Sequence, residues 1–217
     1  MIRVRAVFEK KGRAKYISHL DLNRCMLRTF RRSGLPIWYT EGFNPHPYYS
    51  FALALSLGYE SGCEILDFNL NEDIPFDVIR DKLNNVMPEG MRVVSVAEQK
   101  MKITRIAKAE YSFSLFSENT SELLKDINEL LESDQILVDK KTKKGIKTVD
   151  IKPEMEVCKC EAKEKSVDMT MRLPAGTQTN YNPNLFFDAL EKHGCVPFTA
   201  EKICRTGIFC ENNEIFS

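Results

Sequence analysis

Strand, helix, two strands, helix, strand: this order can be read twice along the 217 residues. It predicts an α+β protein of two tandem ferredoxin-like (βαββαβ) lobes, the second carrying an inserted basic β-hairpin. Three observations carry the expectation. Short segments alternate apolar and polar residues, as strands do. Longer segments between them repeat apolar residues at helical spacing. Glycines and prolines fall where one period gives way to the other. The join is expected between residues 99 and 110, giving lobes 1–105 and 106–217.

The first lobe opens with an alternating strand over residues 2–9. A helix follows over 18–33, opened by Ser18 as N-cap with Asp21 three positions on, close to a capping box. Gly34 and Pro36 end it. A short strand is expected at 37–40, then strands at 50–58 and 63–70. Pro75 begins a helix to residue 87, with Phe76, Ile79 and Leu83 on one stripe. Pro88 and Gly90 stop it, and 91–98 form the last strand.

The second lobe begins at 110–117, which alternates strictly, and continues with a helix over 119–132 whose Leu123, Leu124 and Ile127 face inward. Residues 135–139 and 146–151 read as a hairpin with Lys140-Lys141-Thr142-Lys143-Lys144-Gly145 at its tip. Strands at 155–161 and 166–173, a helix from Pro183 to about His193 and a strand at 202–210 complete the order.

Composition sets the broad class. Hydrophobic residues make up 43% and charged residues 29%, as expected of a soluble chain. No apolar run approaches the ~20 residues of a bilayer span, and the N-terminus lacks a signal-peptide core. A cytoplasmic protein is the default expectation. Seven cysteines, an odd number, argue for reduced thiols rather than a disulfide framework. Cys158 and Cys160 are expected to pack on one face of a strand, and neither they nor the histidines match a metal-ligand spacing. No metal or cofactor is expected. The net charge of zero hides an asymmetry. Residues 1–108 hold 17 Lys and Arg against 12 Asp and Glu, and residues 109–217 hold 14 against 19. Within residues 1–47 the count is 10 against 3, which suits a polyanionic partner.

The candidate residues concentrate in that basic stretch. Arg24, Arg28, Arg31 and Arg32 fall within about a quadrant of the first helix. Leu22, Met26, Leu27 and Phe30 lie opposite. Guanidinium forks suit phosphates, and no acid stands four residues on to neutralise them. Lys15 precedes this face, and Lys140, Lys141, Lys143 and Lys144 form a second basic feature, so all nine cations are candidate RNA contacts. His19 lies at the first turn of the helix, beside free backbone N–H groups. His46 sits between Pro45 and Pro47, which stiffen its loop. With Glu64, these two histidines form a candidate acid–base set bordering one pocket. Tyr16, Ser18, Glu41, Phe43, Asn44 and Ser61 are its candidate lining. Trp38, Tyr39, Phe43, Tyr48 and Tyr49 cluster around the loop, and exposed members are suited to stacking on bases. Each feature has a plainer reading: a solvated helix face, a local hydrogen bond at a helix start, a structural histidine, a lysine-protected sheet edge.

These residues also resemble a known signature. Lys15-Tyr16-Ile17-Ser18-His19-Leu20-Asp21, Arg31-Arg32, Gly34-Leu35-Pro36, Glu41-Gly42-Phe43-Asn44-Pro45-His46-Pro47, Ser50-Phe51, Leu55, Gly58, Ser61 and Glu64 look like the radical-SAM-linked protein family. That family is a bacterial domain of unknown function, found alone or fused behind a radical-SAM module. Thr142-Lys143-Lys144-Gly145 followed by Asp150-Ile151 resembles it too. The resemblance implies an RNA-binding accessory protein of a radical-SAM system that modifies RNA or ribosomes. Its expected partners are structured RNA, ribosomal or transfer, and a radical-SAM protein, with no membrane. It assigns no activity to any residue. Two alternatives stand beside it. One is a metal-independent endoribonuclease using His19 and His46, since CRISPR repeat-processing endoribonucleases are similar in lobe order; the chain lacks their glycine-rich C-terminal loop, with only Gly207 in its last strand. The other is a protein–protein docking module for the radical-SAM partner.

Overall fold

The computed structural model describes residues 1–142, 145–176 and 179–216. The chain is α+β, with antiparallel strand pairing and four α-helices among the described residues. It divides into two units: Met1–Arg105 together with the chain from Glu214 onward, and Ile106–Asn213. The C-terminal residues thus belong with the first unit, not with the second lobe to which the sequence reading assigns them. Phe216 is the reason: it is buried, and its ring stacks 4.3 Å from the Arg5 guanidinium carbon.

In the first unit, β1 (Ile2–Lys10) lies between β4 (Met91–Glu98) and β3 (Glu60–Leu70), and β2 (Tyr49–Phe51) flanks β3. The strand order is β4-β1-β3-β2, all antiparallel. Alternation on β1 sends Val4, Ala6 and Phe8 to one face, where they meet Leu66 and Phe68 of β3. Helices α1 (His19–Ser33) and α2 (Phe76–Asn84) cover that face. α1 contributes Leu22, Met26 and Phe30, and α2 contributes Ile79 and Leu83. Burying each such side chain is worth about 1.5–3 kcal/mol. Ser18 caps α1 by accepting a bond from the Asp21 N–H at 3.1 Å, and Gly34 ends it with φ +64°, where a Cβ would be strained.

Two expected strands differ. Residues 37–40 form no strand but two isolated bridges, Ile37 to Leu70 and Tyr39 to Pro47. The strand expected over 50–58 shrinks to Tyr49–Phe51. Past Ala52, whose N–H still bonds the Ile65 carbonyl of β3 at 3.1 Å, the Gly58 N–H turns to the Lys15 carbonyl at 2.9 Å, and the Tyr59 N–H to the Ser56 carbonyl at 3.2 Å.

In the second unit the order is β10-β5-β9-β8, from β5 (Ile106–Phe116), β8 (Glu156–Ala162), β9 (Ser166–Pro174) and β10 (Thr199–Cys210). Helices α3 (Thr120–Glu132) and α4 (Asn184–His193) pack Leu123, Ile127, Phe186 and Leu190 into its core. The hairpin β6 (Leu137–Thr142) and β7 (Gly145–Asp150) is inserted between α3 and β8. A register shift between Val157 and Lys159 interrupts the alternation of β8. Cys158 is therefore exposed while Cys160 is half-buried, and the expected same-face pair does not form.

Candidate functional site

α1 presents its arginines outward because its apolar stripe is satisfied on the opposite side. Arg24, Arg28, Arg31 and Arg32 are all exposed. One is not as free as the spacing implies: Arg24 donates to Asp21, three residues back rather than four ahead, at 3.1 Å. An exposed pair of this kind is worth ~0.2–1 kcal/mol, so a phosphate can displace it. Arg32 bonds the Val86 carbonyl at 3.0 Å beyond α2. Arg28 and Arg31 have no acidic partner among the described residues. Ser18 and Arg24 both donate to the Asp21 carboxylate and hold it below the usual carboxylate range.

The Pro-loop is a closed turn between two rungs. The Thr40 N–H donates to the His46 carbonyl at 2.9 Å, and the Tyr48 N–H to the Trp38 carbonyl at 3.0 Å. Trp38 in turn donates its N–H to the Asn69 carbonyl at 2.8 Å, fastening the loop to β3. Pro47 is buried, and Gly42, with φ +121°, makes the bend. His46 Nδ1 lies 3.1 Å from both the Asn44 carbonyl and Thr40 Oγ1. A carbonyl only accepts, so the Asn44 contact is a hydrogen bond when the proton is on Nδ1. Phe43 stands fully exposed at the tip, with Glu41 and Asn44 also exposed.

Residues 3–183 match the bacterial family described as "Uncharacterized protein conserved in bacteria (DUF2344)". The chain belongs to that family. No curated protein matches it. The DUF2344 match takes in the Ser18 cap, the arginine face, the Pro-loop and the hairpin, and ends at Pro183, the residue that opens α4.

In this DUF2344 chain the other sequence-predicted residues fall into separate places. Lys15, Tyr16, Ser18 and His19 follow one another into α1; Tyr16 and His19 are exposed. The His19 ring meets Phe51 edge-on at 5.5 Å. His46 lies five residues before Phe51 along the chain. Glu64 and Ser61 are buried on β3, Glu64 only 2% exposed, and the Ser61 hydroxyl accepts from the Cys63 N–H at 3.2 Å. His19 and, in the Pro-loop, His46 are exposed, whereas Glu64 is buried on β3. An acid and a base acting on one bond must both reach it. Among the described residues no three His, Cys, Asp or Glu side chains are grouped as a metal ion requires.

The hairpin also departs from expectation. Lys140 turns back on its own unit, bonding the Asn180 carbonyl at 2.9 Å and lying 4.6 Å from the Tyr181 ring centroid. Burial pushes its pKa down. The Lys141 side chain, Lys143 and Lys144 lie outside the described residues.

Sequence reasoning passed over the buried charges. Arg5 is 1% exposed; its Nε and Nη2 donate to the two Asp67 carboxylate oxygens at 2.7 and 2.8 Å, and Nη2 also reaches the Met101 carbonyl at 2.9 Å. Gln99 donates to the same carboxylate at 2.8 Å. Lys10 is equally buried, its ammonium bonding the Ile17 carbonyl at 2.9 Å. One signal was available: Lys10 continues the Val4-Ala6-Phe8 alternation onto the core face.

Proposed function

We propose that this chain is a cytoplasmic RNA-binding accessory protein of a radical-SAM system that modifies RNA or ribosomes. One observation carries the reading: four arginines leave α1 on its solvent side, and Arg28 and Arg31 there lack an acidic partner among the described residues. Guanidinium forks in a row along a rigid helix suit successive backbone phosphates. The radical-SAM partner rests on the sequence resemblance. With it goes a fold reading: each unit orders its strands last-first-third-second once the hairpin is set aside, and we read both as ferredoxin-like lobes.

The test is the triple substitution Arg24→Glu, Arg28→Glu, Arg31→Glu, with binding to structured ribosomal and transfer RNA measured at several salt concentrations. Affinity is expected to fall, and the slope of log K against log salt to shrink by about 2–3, near one per lost phosphate contact. Unchanged affinity and slope return the helix to a solvated face.

A further inference from the structure

The helix-free face of the first unit's sheet carries a cavity of about 470 Å³, within the range of small-molecule sites. We propose that it is a nucleotide site, seating a base against Trp38 and Tyr48 and a phosphate between Arg3 and Lys102. The proposal goes beyond the arginine face of α1, which covers the opposite side of the same sheet.

Strand register builds the site. Arg3 pairs with Asn69, Arg5 with Asp67, and Ser50 with Asp67, so Arg3, Asn69, Asp67 and Ser50 share one face. The bridges that close the Pro-loop bring Trp38 and Tyr48 to the same end, with Trp38 bonded to the Asn69 backbone. Their rings meet edge-to-face at 5.6 Å and 71°, an arrangement that leaves ring faces unstacked; Tyr48 is 50% exposed. Gln99, Lys102 and Ile103 form the other side.

Three observations point to this ligand class. First, the aromatic pair stands on an open sheet face, where a base has two rings to stack on. Second, Asn69 is 5% exposed and lines the cavity, and among the described residues its side-chain bond is a weak one from Nδ2 to the Met1 sulfur at 3.4 Å. A carboxamide held this way reads a donor–acceptor edge, and an adenine or guanine edge supplies one. Third, the charge in the cavity favours an anion. Asp67 is neutralised by the Arg5 fork, whereas Arg3 and Lys102 are exposed and form no ion pair among the described residues.

Such a nucleotide comes either free or as one unit of an unpaired RNA strand. Trp38 is the single tryptophan of the chain, so its fluorescence reports on the site directly. The experiment titrates the full protein with each nucleoside monophosphate, with ribose 5-phosphate, and with a short single-stranded oligoribonucleotide. Saturable quenching by a monophosphate assigns a free nucleotide; quenching by the oligonucleotide alone assigns an RNA strand. Either supports the proposal if ribose 5-phosphate binds at least tenfold more weakly. Tyr48→Ala and Lys102→Ala are each expected to weaken binding by about tenfold. Lys102 is exposed on a segment outside the strands, so its loss leaves folding intact. Titrated with the nucleoside monophosphates, which are too short to span both faces of the sheet, the triple arginine variant of α1 should be quenched as the parent is, which separates failure of this site from failure of the helix face. Equal binding of ribose 5-phosphate, or no saturable change with any ligand at millimolar concentration, overturns the proposal.

Discussion

Asp67 holds the most consequential side chain of the first unit. Its two oxygens are bonded by a guanidinium that sees almost no water, and a glutamine takes up a remaining lone pair. Removing one member of a buried pair strands the other charge in a low dielectric, at ~3–5 kcal/mol. Asp67→Ala is therefore expected to lower the unfolding free energy by about that amount, read as a drop in the urea midpoint. The double variant Arg5→Met, Asp67→Leu should recover most of the loss, because apolar isosteres carry no stranded charge. A single variant as stable as the parent would show that water reaches Arg5. The Arg5–Asp67 pair was not legible beforehand. Arg5 and Glu64 are residue types that belong outside by default, and only for Lys10 did the neighbouring alternation point to the core. The exposed residues were legible: the outward arginines of α1 follow directly from the stripe opposite them.

At the scale of elements, α1 came through nearly to the residue, since its start is written in side-chain chemistry. Ser18→Ala removes the acceptor for the Asp21 N–H and should cost about 1 kcal/mol. The same cap predicts a pH dependence. The Ser18 hydroxyl, and then Arg24, favour the charged Asp21 carboxylate and lower its folded pKa below the ordinary 3.8. A lowered carboxylate contributes stability above the unfolded value and loses it as pH falls through the folded one. The stability gap between parent and Asp21→Asn should accordingly be constant near neutrality and close below about pH 4; a gap unchanged at pH 3 contradicts it. β2 shows why other elements were harder. Leucines at 53, 55 and 57 alternate as well as any strand, but β2 ends at Phe51 and the Gly58 N–H bonds the Lys15 carbonyl. Period reports on faces, not on partners. Of the candidate site, each histidine segment was recognisable from its neighbours, but the burial of Glu64 on β3 was not.

For the whole molecule, element order was the readable level, and two units with matching strand orders emerge from it. What the order could not disclose was the return of the chain's end to the first unit. Phe216 is 3% exposed and lies against Arg5. Phe216→Ala should cost roughly 3 kcal/mol, combining lost apolar burial with a lost cation–π contact. Hydrogen exchange should localise the loosening to β1 and its neighbours while the core of the second unit, around Phe113 and Phe186, keeps its protection. Uniform loss of protection in both units would show that Phe216 is not specific to the first.

Phe216 also sets an order of events during synthesis. The partners of Arg5 within the first hundred residues leave the ribosome early, but the ring that stacks on it follows only after all of Ile106–Asn213 has been made. At ~5–20 residues per second that interval is on the order of ten seconds. For that time a nascent first unit has its strands and helices in hand while one side of its buried guanidinium stays open to solvent or to any chaperone aromatic that reaches it. The first unit is thus complete only once the second has been translated.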